Sequence, residues 1–157
     1  MTVPRIAITA GEPAGIGPDI VAMIAQHDWA AELLVIADPD LLRERARQLG
    51  LPLQLRVIDP TASPQPLPAG TIGILPDAGE FRAPHLAAEV EPGVLNTANG
   101  PYVIETLQRA VDGCLGGHFQ AMVTAPVQKS AINDAGIPFS GHTEFLAEQT
   151  GTARVVM

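Results

Sequence analysis

The chemistry this sequence can offer is concentrated in two stretches, each following a short apolar run. The later one reads Thr124-Ala-Pro-Val-Gln-Lys129 and then Ser140-Gly-His-Thr-Glu144. Lys129 falls just past the carboxyl end of an expected strand, where an ammonium can reach into the crevice above a parallel sheet. Ser140 or Thr143 is placed to cap the helix that follows, and His142 sits beside that cap. The start of such a helix offers backbone N–H groups and the positive end of a dipole. A cation, an imidazole, a hydroxyl and backbone amides within one strand–loop–helix unit suit a phosphate or a carboxylate. Taken singly, a histidine before a helix is more often a loop-stabilising residue, and a loop lysine is usually solvated. The inference rests on their convergence.

The earlier stretch, Gly11-Glu12-Pro13-Ala14-Gly15-Ile16-Gly17-Pro18, joins a strand to a helix. Its glycine spacing matches neither the dinucleotide fingerprint nor the phosphate-binding loop with its Lys-Ser/Thr ending. The loop by itself therefore specifies neither NAD nor ATP, and a turn needing positive φ accounts for the glycines equally well. Glu12 argues against direct cradling of a phosphate and favours hydrogen bonding to hydroxyl or amine groups.

Other chemistries lack their residues. The four histidines are His27, His85, His118 and His142, with no pair at i,i+4 and no carboxylates at ligand-like spacing, so no metal site is expected within this chain. Asp112 and Asp134 are isolated acids. No G-x-S-x-G elbow occurs. Cys114 is the single cysteine, which leaves no disulfide framework. It falls in the apolar stripe of a helix and reads as an inert core thiol.

The elements that must position these groups alternate between short apolar runs and helical segments, the pattern of a mostly parallel sheet covered by helices. Strands are expected at Arg5–Ala10, Leu33–Ala37, Thr71–Leu75 and, as a buried strand, Phe119–Thr124, with a more exposed one at Leu53–Ile58. Helices are expected from near Pro18, from Pro39 with Asp38 as cap and Gly50 as stop, and through a stripe of Val103, Leu107, Ala110, Val111, Cys114 and Leu115 ended by Gly116-Gly117. Shorter helices are placed around Ser130–Ala135 and Glu144–Thr150. The prolines of Asp59–Gly70 read as a stiff surface connection, and Pro76–Gly100 carries little periodicity. Arg154–Met157 opens a further apolar run with the look of a strand cut short.

Composition narrows the class. With 157 residues, 46% hydrophobic and 17% charged, the chain can build a core for one domain or one lobe. A formal net charge of -8 with no basic stripe excludes nucleic acid as a partner. No stretch reaches membrane-spanning length and the N-terminus is not a signal segment, so a cytoplasmic protein is expected.

Three segments, ITAGEPAGIGPDI, NGPYVIETLQRAVDGCL and TAPVQKSAINDAGIPFSGHTEFL, resemble the 4-hydroxythreonine-4-phosphate dehydrogenase family of pyridoxine biosynthesis. The likeness runs over essentially the whole chain and is weakest from Thr61 to Glu91. It implies a three-layer α/β/α sandwich of the isocitrate/isopropylmalate dehydrogenase-like type, here truncated: residues 1–157 would form the N-terminal part of a two-lobed homodimeric enzyme, with the C-terminal remainder absent. It implies oxidation of a small phosphorylated substrate, 4-phosphooxy-L-threonine, by NAD(P) with a divalent metal (Zn, Mg or Co), to a β-keto acid that loses carbon dioxide. The family's substrate-binding His-Thr pair falls on His142 and Thr143, and Lys129 matches the lysine of its TAP-x-x-K segment. The resemblance places the metal-binding histidines and most of the NAD site beyond Met157, so this portion alone should be inactive. Family members often carry Asp where Glu12 stands. A dehydrogenase of threonate or erythronate 4-phosphate would use the same residues, and a phosphate acyltransferase shares a related fold.

Overall fold

The computed structural model describes residues 2–155. The elements run β1 (Arg5–Thr9), α1 (Gly17–Ile24), β2 (Glu32–Ile36), α2 (Pro39–Leu49), β3 (Gln54–Val57), β4 (Thr71–Ile74), a 3-10 turn (Thr97–Asn99), α3 (Gly100–Leu115), β5 (Ala121–Thr124), α4 (Lys129–Asp134) and α5 (His142–Thr150). The strands form one five-stranded sheet in the order β3-β4-β2-β1-β5. Every pairing in it is parallel. β1 is thus flanked on both sides, with Thr9 in register with Ile36 of β2 and Thr124 of β5.

The two-residue alternation of strands divides the core into two layers. Ile8, Val35, Ile72 and Ile74 meet Val21 and Ala25 of α1 and Leu42 of α2. Ala7, Leu34 and Ile36 point the other way, onto Ala110 of α3 and onto Phe119. The sheet is therefore covered on both faces, the α/β/α arrangement. Local signals set the helix limits. Asp38 Oδ1 accepts from the Asp40 N–H at 2.8 Å and the Leu41 N–H at 3.3 Å, and Pro39 opens α2. Gly50 closes it in the left-handed region at φ 66°.

Four expectations are corrected. Leu115 is 63% exposed, although Val103, Leu107, Ala110 and Val111 of the same stripe are buried. Phe119 folds back beneath the last turn of α3, its ring against Gly113, and fills the core there instead. The same fold-back delays β5, because the Phe119 N–H is bonded to the Gly113 carbonyl at 3.1 Å and not to the sheet. β5 is also not a buried strand. It lies at an edge of the sheet, and Val123 is 55% exposed because no helix covers its α1-side face. There Ile6, Leu33 and Val123 of the sheet, Ile20 and Ile24 of α1, and Trp29 line an apolar groove of about 450 Å³. The strand expected from Arg154 to Met157 runs outside the described residues, and Arg154 and Val155 are not in a strand.

The amino ends of the strands are tied together by charge. Arg5 and Glu32, in register at the start of β1 and β2, form an ion pair with both side chains almost fully buried. Arg5 also donates to the carbonyls of Pro60 at 2.6 Å and Ala62 at 2.9 Å, while Glu32 Oε2 accepts the Gln65 N–H at 2.8 Å. The proline-rich connection is thereby pinned to the sheet.

Candidate functional site

The opposite rim, at the carboxyl ends of β1 and β5, is where both chemical stretches arrive. Two close approaches bring them together. Gly11 adopts φ 70°, and a side chain there would collide with the carbonyl oxygens of Ala125 and Pro126. The Glu12 N–H then donates to the Pro126 carbonyl at 3.0 Å. The opening loop is held from its other side by Arg45 of α2, which is buried and donates to the carbonyls of Gly15 at 2.8 Å and Pro13 at 2.9 Å, and to Asp19 at 3.1 Å. Arg45 was not anticipated, since its place on an amphipathic helix does not distinguish it from its exposed neighbours Arg43 and Arg47.

Lys129 begins α4 and His142 begins α5. The capping expectation fails: the N-cap of α5 is Gly141, which has no side chain to offer, while Thr143 lies inside the first turn and Ser140 precedes the cap. The start of α5 therefore carries no side-chain cap, and its dipole points at whatever occupies the space before it. Lys129 does. Its Nζ lies 3.4 Å from the position a Cβ would take on Gly141. Glu144 Oε2 approaches the same point at 3.0 Å, yet Lys129 forms no ion pair among the described residues. Lys129, His142 and Thr143 are thus brought to one helix start.

His142 packs edge-on against Phe139, with ring centroids 6.2 Å apart. Its Nε2 is sealed from solvent without a hydrogen-bond partner. Burial first, and the Lys129 charge second, pull its pKa below the ordinary histidine value. The imidazole is accordingly neutral at pH 7. Cys114 is half-buried, and burial pushes its thiol pKa up, which suits a core residue and not a nucleophile.

Beside this site lies a pocket of about 350 Å³ whose lining includes Glu12, Gly15, Gly93, Leu95, Val127 and Gln128. Glu12 is only 7% exposed, and its Oε1 accepts the Ala14 N–H at 3.0 Å. Burial raises its pKa, with the Ala14 hydrogen bond opposing. That Glu12 and Gln128, distant in sequence, line one pocket follows from the pairing of β1 with β5.

Among the described residues no group of three or more His, Cys, Asp or Glu side chains is placed to hold a metal ion. The donor set present does not fit the divalent metal that the resemblance implies. Nor is any described helix long and apolar enough to cross a membrane.

Residues 29–157 match the family described as "Pyridoxal phosphate biosynthetic protein PdxA". The chain is 58% identical over 153 residues to a 4-hydroxythreonine-4-phosphate dehydrogenase of Serratia proteamaculans, covering 98% of this chain and 44% of that one. It is 56% identical over 156 residues to the protein of that name from Thioalkalivibrio sulfidiphilus, covering 99% and 45%. The crystal structure of a 4-hydroxythreonine-4-phosphate dehydrogenase from Burkholderia phymatum superposes with a TM-score of 0.82 at 29% identity, covering 98% of this chain and 46% of that one. A terephthalate 1,2-cis-dihydrodiol dehydrogenase from Burkholderia xenovorans superposes at 0.63 with 25% identity, covering 95% and 41%. The chain spans less than half the length of these relatives.

Proposed function

The chain belongs to the PdxA family, and we propose that it forms the anion-binding wall of a dehydrogenase acting on 4-phosphooxy-L-threonine in pyridoxal phosphate biosynthesis. Its relatives are dehydrogenases by name. The reaction is oxidation of the substrate's secondary alcohol by NAD(P), giving a β-keto acid that decarboxylates to 3-amino-2-oxopropyl phosphate. Among the described residues no ligand set for a divalent metal is present; the relatives are more than twice as long, and the metal ligands are taken to lie in the part of them that this chain does not span. The apolar groove beside β5 supports packing against that part, since a contiguous apolar face is seldom left to water. We place the enzyme in the cytoplasm as a homodimer.

What this portion does is bind and orient. The observation that carries the reading is Lys129, in no ion pair among the described residues and placed at the start of α5, which has no side-chain cap. Lys129 Nζ and the positive end of the α5 dipole gather at one point, with Glu144 of the first turn nearby but not ion-paired to Lys129, so an anion can still join them there. A phosphate dianion there is neutralised by Lys129 and accepts from first-turn amides. His142 lies at the same helix start, but its unpartnered Nε2 is sealed from solvent and would donate to a phosphate only after the ring turns.

The test is nucleotide reduction by the full-length enzyme with 4-phosphooxy-L-threonine and a divalent metal, comparing wild type with Lys129→Ala. Turnover by wild type with KM raised at least about ten-fold in the variant supports the reading, as loss of one charge-assisted contact requires. Turnover confined to threonate or erythronate 4-phosphate would shift the substrate within the class. Acyl transfer without nucleotide reduction would replace it.

A further inference from the structure

Glu12 is a carboxylate in an unusual position: 7% exposed, with no arginine, lysine or histidine paired to it among the described residues. Burying a carboxylate without a counter-charge is costly, and elsewhere this fold avoids it by giving Glu32 an arginine. One oxygen, Oε1, is used by the Ala14 N–H. Oε2 accepts no hydrogen bond among the described residues and is not among the polar atoms sealed from solvent, and Glu12 lines the adjoining pocket. That pocket is bordered by apolar Leu95 and Val127 and by Gln128, the residue immediately before Lys129. It therefore borders the anion site at its own backbone.

We propose that Glu12 is a specificity-determining residue whose Oε2 receives the positively charged amino group of the substrate, while Lys129 and the start of α5 hold its phosphate. The inference rests on the proposed function and deepens it by naming what selects an amino acid over a hydroxy acid. A ligand with an anion at one end and an ammonium at the other satisfies both unpaired charges at once. Threonate and erythronate 4-phosphates carry a hydroxyl in place of the amine and meet only the first requirement. The second neutralisation is a charge-assisted hydrogen bond in a low-dielectric setting, where such contacts are strongest. Burial raises the Glu12 pKa, which fits a group whose ionised form awaits a partner.

The experiment compares 4-phosphooxy-L-threonine with threonate 4-phosphate on the full-length enzyme, in wild type and in Glu12→Gln. The amide keeps an oxygen for the Ala14 N–H and removes only the charge. Wild type should bind the amino compound at least ten-fold more tightly by calorimetry. The variant should shrink the ratio of kcat/KM between the two compounds by ten- to a hundred-fold. A ratio unchanged while both values fall together would assign Glu12 to holding its loop and overturn the proposal. If the variant does not fold, equal affinity of wild type for the two compounds overturns it on its own. Should neither compound reduce nucleotide, the dehydrogenase reading falls, and the binding ratio still decides Glu12.

Discussion

The two rims of the sheet handle charge in opposite ways. At the amino ends of the strands, Arg5 and Glu32 are buried against each other, and their remaining valences are taken by Pro60, Ala62 and Gln65. At the carboxyl ends, among the described residues, Glu12 is buried without a paired cation, Lys129 lies near Glu144 without forming an ion pair, and His142 Nε2 is sealed without a partner. One rim spends its charges on holding the fold. The other leaves them open at a cost in stability, and unsatisfied groups gathered at strand carboxyl ends are the mark of a ligand site.

The contrast can be broken hardest at the satisfied rim. Glu32→Ala leaves Arg5 buried and unpaired, and is expected to remove about 3–5 kcal/mol of stability, read as a lowered urea midpoint. Replacing both partners together, Arg5→Met with Glu32→Leu, should cost clearly less. Were the single and double variants equally unstable, the pair would not be the lock described. At the open rim, Lys129→Ala should change the urea midpoint by no more than about 0.5 kcal/mol while weakening phosphate binding at least ten-fold. A large stability loss there would erase the distinction between the rims.

Asp38 offers a smaller comparison within the fold. It caps α2 and its second oxygen accepts the Leu86 N–H at 3.0 Å. Asp38→Ala should cost about 1–2 kcal/mol in chemical denaturation, since an isolated cap and a tether are lost together. A smaller effect is expected from pH. Glu12 binds its proton more tightly folded than unfolded, so its ionisation opposes folding once pH rises above the ordinary glutamate value of 4.5. Without ligand, Glu12→Gln should therefore be more stable than wild type at pH 7, with the difference fading as pH falls below 4.5. A variant less stable than wild type at pH 7 would place Glu12 among the structural charges of the other rim.

Much of the architecture was legible in the sequence because local signals agreed with the fold. Asp38, Pro39 and Gly50 mark the limits of α2, and the short apolar runs, with the alternating Leu53–Ile58, mark four strands within a residue at each end. The misses have tertiary causes. Leu115 fits the α3 stripe by spacing, but Phe119 takes the core position beneath it. Val123 lies in an apolar run that reads as buried, and only the sheet order shows it at an edge. For the candidate site, Lys129, His142 and Thr143 stand out in the sequence because they fall within one strand–loop–helix unit. The cap was misassigned to Ser140 or Thr143 because hydroxyl-bearing residues flank Gly141 on both sides. Arg45 and the nearness of Glu12 to Gln128 depend on contacts between distant segments, which spacing along the chain does not encode.

The most direct measurement is a crystal structure of the full-length enzyme with 4-phosphooxy-L-threonine bound. The phosphate should lie within hydrogen-bond distance of Lys129 Nζ and the first turn of α5, with the His142 ring against it. A phosphate seated elsewhere, with Lys129 facing solvent, would contradict the assignment of this rim as the binding wall.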